Sequence, residues 1–234
     1  MSFARRVEPE LLDALSPDDP RAIRSRKDLR RINRFMAAHS LVGTSLDKIL
    51  RDSTKKVRLL ELGAGDGETL LRIARRHAAD WPKIHLQLLD LQPVVSRQTL
   101  AKFRALGWSV EVVCADVFDW LAQPSEIAPV IVANLFIHHF EGERLQTLID
   151  GIATRACAFV CVEPRRSRLA LTFSHLLGVI GCNDVTRHDG VTSVRAGFGA
   201  AELTGLWPQS KEWNLHECSA GLFSHRFVAV KKRV

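Results

Sequence analysis

The chain has 234 residues, long enough for one domain with a real core, and 46% of them are apolar and 25% charged, a balance ordinary for a soluble globular protein. No apolar run approaches the roughly 20 residues of a membrane-spanning helix, and the start, MSFARRVEPELLDALS, holds no signal-peptide core. Net charge is +7, and the five cysteines are scattered without Cys-x-x-Cys spacing, so neither a disulfide framework nor a zinc site is indicated and a reducing cytoplasm is the expected location.

In chain order, Glu8–Leu15 reads as a short helix, stopped by the SPDDP stretch at Ser16–Pro20. Arg21–His39 reads as a second helix, with Ile23, Leu29, Ile32, Phe35 and Met36 tending to one side. It carries seven basic residues between Arg21 and Arg34 against one acid, Asp28. Such a face could meet an anionic ligand, an acidic carrier protein or nucleic acid; the plain alternative is a solvated helix surface. Aromatic platforms do not interleave with the basic residues, which disfavours nucleic acid without excluding it. Ser45–Arg51 is a further helical piece. Residues 1–52 are therefore expected to form a helical cap before a domain over 53–234.

From Val57 the pattern becomes alternation. Strand candidates are Val57–Leu62, Ile84–Leu89, Val110–Cys114, Val130–Asn134 and Ala156–Val162, each short and rich in Val, Ile or Leu. Helix candidates between them are Glu68–Ala79, Pro93–Leu106, Val117–Ala122 and Glu141–Thr154. Two late strands, Glu212–Cys218 and His225–Lys231, flank a short turn and suit an antiparallel pair. The fold class that follows is α/β: an open, mostly parallel seven-stranded sheet with helices on both faces and a late antiparallel hairpin. The segment from about 164 to 209 interrupts the rhythm and reads as a lid or substrate loop. It holds a helix at Ser167–Ile180, an irregular stretch GCNDVTRHDGVTSVRAGFG, and a short helix at Ala200–Leu206.

The stretch RLLELGAGDGETLLRIARR places Gly63, Gly65 and Gly67 between the first strand and an amphipathic helix. Glycine tolerates positive φ and lacks Cβ, so the chain can reverse sharply and a ligand can touch backbone. In an open α/β sheet, ligands bind beyond the carboxyl ends of the strands, where this turn lies. A dinucleotide fingerprint would read G-x-G-x-x-G; here the third glycine comes one residue early, and Glu61 stands two before the first. Asp90 ends the second strand, in LQLLDLQP, where a carboxylate can accept from two ribose hydroxyls in either a nicotinamide or a methyltransferase site. Asp116 follows the third strand, in VVCADVFDW, and Asn134 ends the fourth, in VIVANLFIHHF.

Together the E-x-G-x-G-x-G turn and these strand-end residues resemble class I S-adenosylmethionine (SAM)-dependent methyltransferases of small-molecule type, best over Val57–Pro164. The resemblance implies SAM as cofactor. It implies a turn of Glu61, Gly63, Ala64, Gly65 and Gly67 under the methionine and ribose parts, with Asp90 and Leu91 at the ribose. It further implies Asp116, Val117 and Phe118 at the adenine, and Asn134 and Leu135 near the methyl donor.

His138 and His139 follow the fourth strand and are the candidate catalytic residues, one of them a base for a hydroxyl acceptor; capping the next helix is the plain alternative. Glu163, at the end of the fifth strand, is expected to orient substrate or to pair with Arg165 or Arg166, and the ion pair is favoured. His175 and His188, in the lid segment, are further candidates for substrate contact, against core or merely exposed positions. No histidine–carboxylate cluster is legible, so no metal site is expected. NLFI replaces the Asn/Asp-Pro-Pro-aromatic motif of nucleobase amino methylation, and no Pro-Cys pair occurs for cytosine chemistry. The expected acceptor is a small aromatic, polyketide-like or quinone-like hydroxyl compound, with apolar walls from Phe173, Leu176, Leu177, Val179, Phe198 and Leu206. The rivals are an RNA methyltransferase using the basic helix, a nicotinamide-dependent oxidoreductase, and a SAM-binding protein without turnover. Nothing in the sequence sets the oligomeric state.

Overall fold

The computed structural model describes residues 3–51, 53, 55–123 and 129–232. The expected boundary between cap and sheet, at 52 and 53, falls partly on residue 52, which lies outside the described residues. Seven strands form: β1 (Val57–Leu62), β2 (Ile84–Asp90), β3 (Ser109–Cys114), β4 (Val130–Asn134), β5 (Ala158–Pro164), β6 (Trp213–Ala220) and β7 (Ser224–Lys231). The helices that precede and alternate with β1–β5 are α1 (Leu11–Ala14), α2 (Pro20–Phe35), α3 (Ala38–Leu50), α4 (Glu68–His77), α5 (Arg97–Ala105), α6 (Val117–Ala122) and α7 (Gly142–Arg155). Three more stand between β5 and β6: α8 (Arg168–His175), α9 (Asp184–Ala196) and α10 (Glu202–Leu206).

All seven strands join one sheet in the order β3-β2-β1-β4-β5-β7-β6. Neighbours from β3 to β5 run parallel, and β7 is antiparallel to both β5 and β6. Strand residues alternate between faces, and the burial follows. Leu59 joins the core under α3, α4 and α5, with Leu46, Leu70 and Phe103. Leu60 joins the core under α6 and α7, with Leu148, Phe159 and Trp207. The inner strand β5, between β4 and β7, is buried at all seven positions, as a strand covered on both faces must be. Chain order reverses between β1 and β4, so their carboxyl ends open a crevice at the sheet's switch point. Among the described residues no helix is long and apolar enough to cross a membrane.

Two expected elements differ. The helix expected over Arg21–His39 breaks at Ala37, which takes φ +53. The break lets α3 turn away and bury Ala38, Val42, Leu46 and Leu50, while α2 lies over the crevice. The stretch expected to be irregular, 181–199, is largely the helix α9. Its interior holds Thr186, Gly190 and Thr192, poor helix formers. Tertiary burial of Val185, Asp189, Thr192 and Ala196, at spacings of a helical stripe, decides the outcome. The Asn183 side chain caps it by accepting from the Thr186 N–H at 2.9 Å. The preceding α8 is correspondingly shorter than expected and ends in a tight turn over Leu176–Gly178.

Candidate active site

The crevice beyond β1, β2 and β4 is a cavity of about 1150 Å³, larger than the roughly 300–1,000 Å³ of a single small-ligand pocket. It has two ends. At one end the glycine turn holds Gly63, Gly65 and Gly67 at φ +62, +54 and +73. A Cβ at Gly63 would lie 2.3 Å from the Phe136 ring, whereas a Cβ at Gly65 would meet nothing within 4 Å. The first glycine lets β1 and the β4 loop meet; the second leaves bare backbone facing the cavity.

Asp90 holds this turn. Its Oδ2 accepts from the Gly65 N–H at 2.8 Å and its Oδ1 from the Gln92 N–H at 2.8 Å. A carboxylate has about four acceptor positions, so capacity for further donors remains. Asp116 caps α6 by accepting from the Phe118 N–H at 2.7 Å. Of the buried polar side-chain atoms without a partner among the described residues, Glu61 Oε2 and Asn134 Oδ1 belong to residues that line this end of the cavity. Burial, with Asp66 and Asp90 close by, pushes the Glu61 carboxyl well above the usual carboxylate range. Orphaned buried polar atoms beside open backbone are what a polar ligand completes, so the residues at this end fit SAM. From above, α2 ties itself to the turn through Arg30, whose guanidinium donates to Asp66 at 2.5 Å.

The other end is built from segments far apart in sequence. After β4, Leu135 adopts φ +56, a left-handed conformation that costs a non-glycine residue about 1–2 kcal/mol. The kink turns the N–H groups of Phe136, Ile137 and His138 onto the Glu163 carboxylate at 3.1, 2.9 and 3.4 Å. Glu163 is fully buried and also takes the His138 Nδ1 at 2.7 Å, which assigns the proton of that ring to Nδ1. The His139 Nδ1 lies 2.9 Å from the Phe136 carbonyl. Both Nε2 atoms point at Glu10, brought in by the N-terminal segment, at 3.4 Å from His138 and 3.5 Å from His139. Burial alone would lower the His139 pKa; contact with Glu10 and its charge prevail and push it up to about 9. Burial likewise works to raise the Glu10 pKa, but its contacts with His138 and His139 outweigh this and hold it far below the carboxylate range.

The N-terminal segment is clamped over this end. Arg5 donates to the carbonyls of Ala196, His138 and Phe140 at 2.7, 3.1 and 2.8 Å and lies over the Phe198 ring. Asp189, buried in α9, accepts from the N–H groups of Leu11 and Leu12 at 2.8 and 3.0 Å. Glu10, Arg5 and Asp189 were not singled out by sequence. Arg5 precedes the first expected element, Glu10 belongs to the helix expected over Glu8–Leu15, which forms only over Leu11–Ala14, and Asp189 lies in the stretch expected to be irregular.

Of the residues singled out by sequence, the cavity brings together Glu61, Gly63, Ala64, Gly65, Asp90, Leu91, Asp116, Val117, Asn134, Leu135, His138 and His139. Gly67 and Phe118 stand behind it, Phe118 edge-on to Phe140. Glu163 makes no ion pair with its neighbours: Arg166 pairs with Glu202 instead, because Glu163 is already saturated by the turn it holds. His175 and His188 are exposed and border a separate shallow depression. Phe173, Leu176, Leu177 and Val179 line the cavity, while Phe198 is buried in the core and Leu206 packs against it.

Residues 59–156 match the family model described as a methyltransferase domain, which spans β1 to the end of α7. Those residues form a methyltransferase domain, and the folds that the chain shares are those of methyltransferases crystallised with SAH or SAM. No curated protein matches it in sequence. Among solved structures it is similar to the plantazolicin methyltransferase BpumL in complex with a monoazolic desmethylPZN analog and SAH. That pair shares 14% identity and a TM-score of 0.64, over 92% of this chain and 91% of that one. The plantazolicin methyltransferase BamL is similar at 12% identity and TM-score 0.66, over 95% and 93%. Magnesium protoporphyrin IX methyltransferase from Synechocystis PCC 6803 aligns at 11% identity and TM-score 0.53, over 89% and 84%. At these identities the likeness shows the fold.

Proposed function

We propose that the protein transfers a methyl group from SAM to a hydroxyl oxygen of a small, largely apolar acceptor. The observation that carries this reading is the two-ended cavity. One end offers bare glycine backbone, Asp90, Asp116 and unpartnered polar atoms; the other offers a histidine pair among Phe136, Phe140, Phe173, Leu177 and Val194. SAM, when bound, supplies an electrophilic methyl group. Gly65, Asp90 and Glu61 would hold it, with Asp116 and Val117 beside its base. Glu163 fixes the His138 ring, and the kink at Leu135 fixes the loop, so the polar groups at the acceptor end are pre-set. His138 and His139 activate the acceptor hydroxyl there. By their names the similar structures hold a monoazolic desmethylPZN analog and act on magnesium protoporphyrin IX, which supports a small-molecule acceptor for this chain.

The basic helix is partly committed inward. Arg30 pairs with Asp66, and Arg26 donates to the Pro17 carbonyl and to Gln92, which argues against an RNA-binding role for that face. Arg24 and Lys27 are exposed, Arg21 is exposed beside Asp19, and Arg34 borders the cavity, a set that suits an acidic carrier or anionic substrate tail. Five free thiols suit a reducing cytoplasm. The test has two parts: calorimetry with SAH and NADH, then labelled SAM with pools of phenolic, polyketide and quinol metabolites. SAH binding and a labelled ether product are expected. Tight NADH binding without SAH, or labelling only of RNA, would replace this reading.

A further inference from the structure

We propose that Glu10, His138 and His139 form a binding site for one divalent transition ion of the zinc class. Three observations converge. First, the ligand set is two imidazoles and a carboxylate, a combination that zinc accepts with a fourth position left open. Their ligating atoms all lie within 4.8 Å of one another, and all three residues line the cavity. Second, the spacing suits an ion better than direct hydrogen bonds. His138 Nε2 stands 3.4 Å from Glu10 Oε1 and His139 Nε2 stands 3.5 Å from Glu10 Oε2, so each oxygen of the carboxylate faces one ring. Ligands at 2.0–2.2 Å in a tetrahedron stand roughly 3.3–3.5 Å apart, whereas charge-assisted hydrogen bonds close to about 2.7–2.9 Å. The same cluster shows what a direct bond looks like here: His138 Nδ1 to Glu163 is 2.7 Å.

Third, each ligand has the outer partner that a metal ligand requires. His138 Nδ1 is held by Glu163 and His139 Nδ1 by the Phe136 carbonyl, so the Nε2 atoms are the ones that face Glu10, and an ion bound there would take the place of the proton that Glu10 stabilises on His139. Glu10 is held by the Ser193 hydroxyl. Asp13, whose Oδ2 lies 3.8 Å from His139 Nε2 and which is largely exposed, stands at the rim and adds negative charge. The ion's open position faces the cavity, where an acceptor hydroxyl can enter. A hydroxyl bound there loses its proton to water more readily. This catalytic role rests on the oxygen-methylation reading; the ion site itself does not.

The test uses the full chain, stripped with a chelator and titrated with Zn²⁺ and Co²⁺, with SAH binding followed by calorimetry on the same sample. One ion per chain is expected, with Kd of about 10 µM or tighter, and Co²⁺ should give the intense visible bands of a four-coordinate site. Glu10→Gln and His139→Ala should each weaken Zn²⁺ by about 100-fold or more. Glu163→Gln should weaken it by about 10- to 100-fold through the His138 ring. SAH binding reports whether each variant is folded, and the wild-type Co²⁺ spectrum stands independently of the variants. No ion bound below about 1 mM, or an ion whose affinity ignores all three substitutions, would overturn the site. If SAH still binds in that case, the methyltransferase reading survives and only the metal is lost.

Discussion

The two ends of the cavity are assembled in opposite ways. The cofactor end comes from strand ends and turns within Glu61–Asn134, and most of its contacts are between residues near one another at the top of the parallel sheet. The acceptor end joins residue 10 to residues 138, 139, 163 and 193, across separations such as 128 positions between Glu10 and His138. Regular backbone sets the first; side chains of a clamped terminal segment set the second. A local motif can therefore specify the cofactor while leaving the acceptor unspecified, and substitutions at the two ends should separate cofactor affinity from turnover.

The largest expected effect is at the point where the two ends touch. Gly63→Ala would place a Cβ 2.3 Å from the Phe136 ring at a residue with φ +62. Overpacking costs about 1–3 kcal/mol and the left-handed backbone about 1–2 kcal/mol more. The thermal midpoint should fall, and both SAH affinity and turnover should suffer. Gly65→Ala has free space for its Cβ, so its stability loss should be limited to the backbone cost, yet SAH binding should drop because the methyl faces the ligand. Equal melting of the two variants would show that the Phe136 contact does not hold the ends together.

Next in size is Arg5→Ala. It removes hydrogen bonds to three carbonyls, two of them in the histidine loop. Charged hydrogen bonds contribute about 1.5–3 kcal/mol each, so a loss of about 3 kcal/mol is expected, together with faster amide exchange over residues 3–12. Turnover should fall at least tenfold while SAH affinity stays within about twofold. A matching loss of SAH affinity would erase the distinction between the ends.

This contrast also explains what was legible in the sequence. The β-strands follow from short Val/Ile/Leu runs, and the glycine turn follows from spacing, because in both cases the cause lies within a few residues. The histidines after β4 stand where the motif puts them. Their partners do not show: Glu163 reads as a strand-end acid seeking an arginine, and only the left-handed Leu135 reveals that three backbone N–H groups claim it first. Glu10 carries no local signal, since its neighbours Leu11 and Leu12 are held by Asp189 from a helix that reads as a loop. Propensity failed in α9 because burial, not sequence preference, stabilises it.

At the cofactor end, Asp90→Ala should cost about 2 kcal/mol of SAH affinity, since ligand donors lose a charged acceptor and the Gly65 N–H loses its restraint. Turnover at saturating SAM should change much less, and calorimetry against steady-state kinetics separates the two. An unchanged SAH affinity would remove Asp90 from the ribose.

The smallest effect is a slope with pH. Burial and the neighbouring acids raise the Glu61 pKa above its unfolded value. The native state then holds a proton that the unfolded chain has released. Stability contributed by that proton is fully present below about pH 4.5 and is lost as pH rises toward the folded pKa. Glu61→Gln keeps the neutral shape without the titration, so this slope should vanish from denaturant-derived stabilities between pH 4.5 and 8, and the variant should be at least as stable as the parent at pH 8. If both proteins show the same slope, the orphaned Oε2 of Glu61 is compensated in some other way. The buried carboxyl would then no longer mark the cofactor end as incomplete without its ligand.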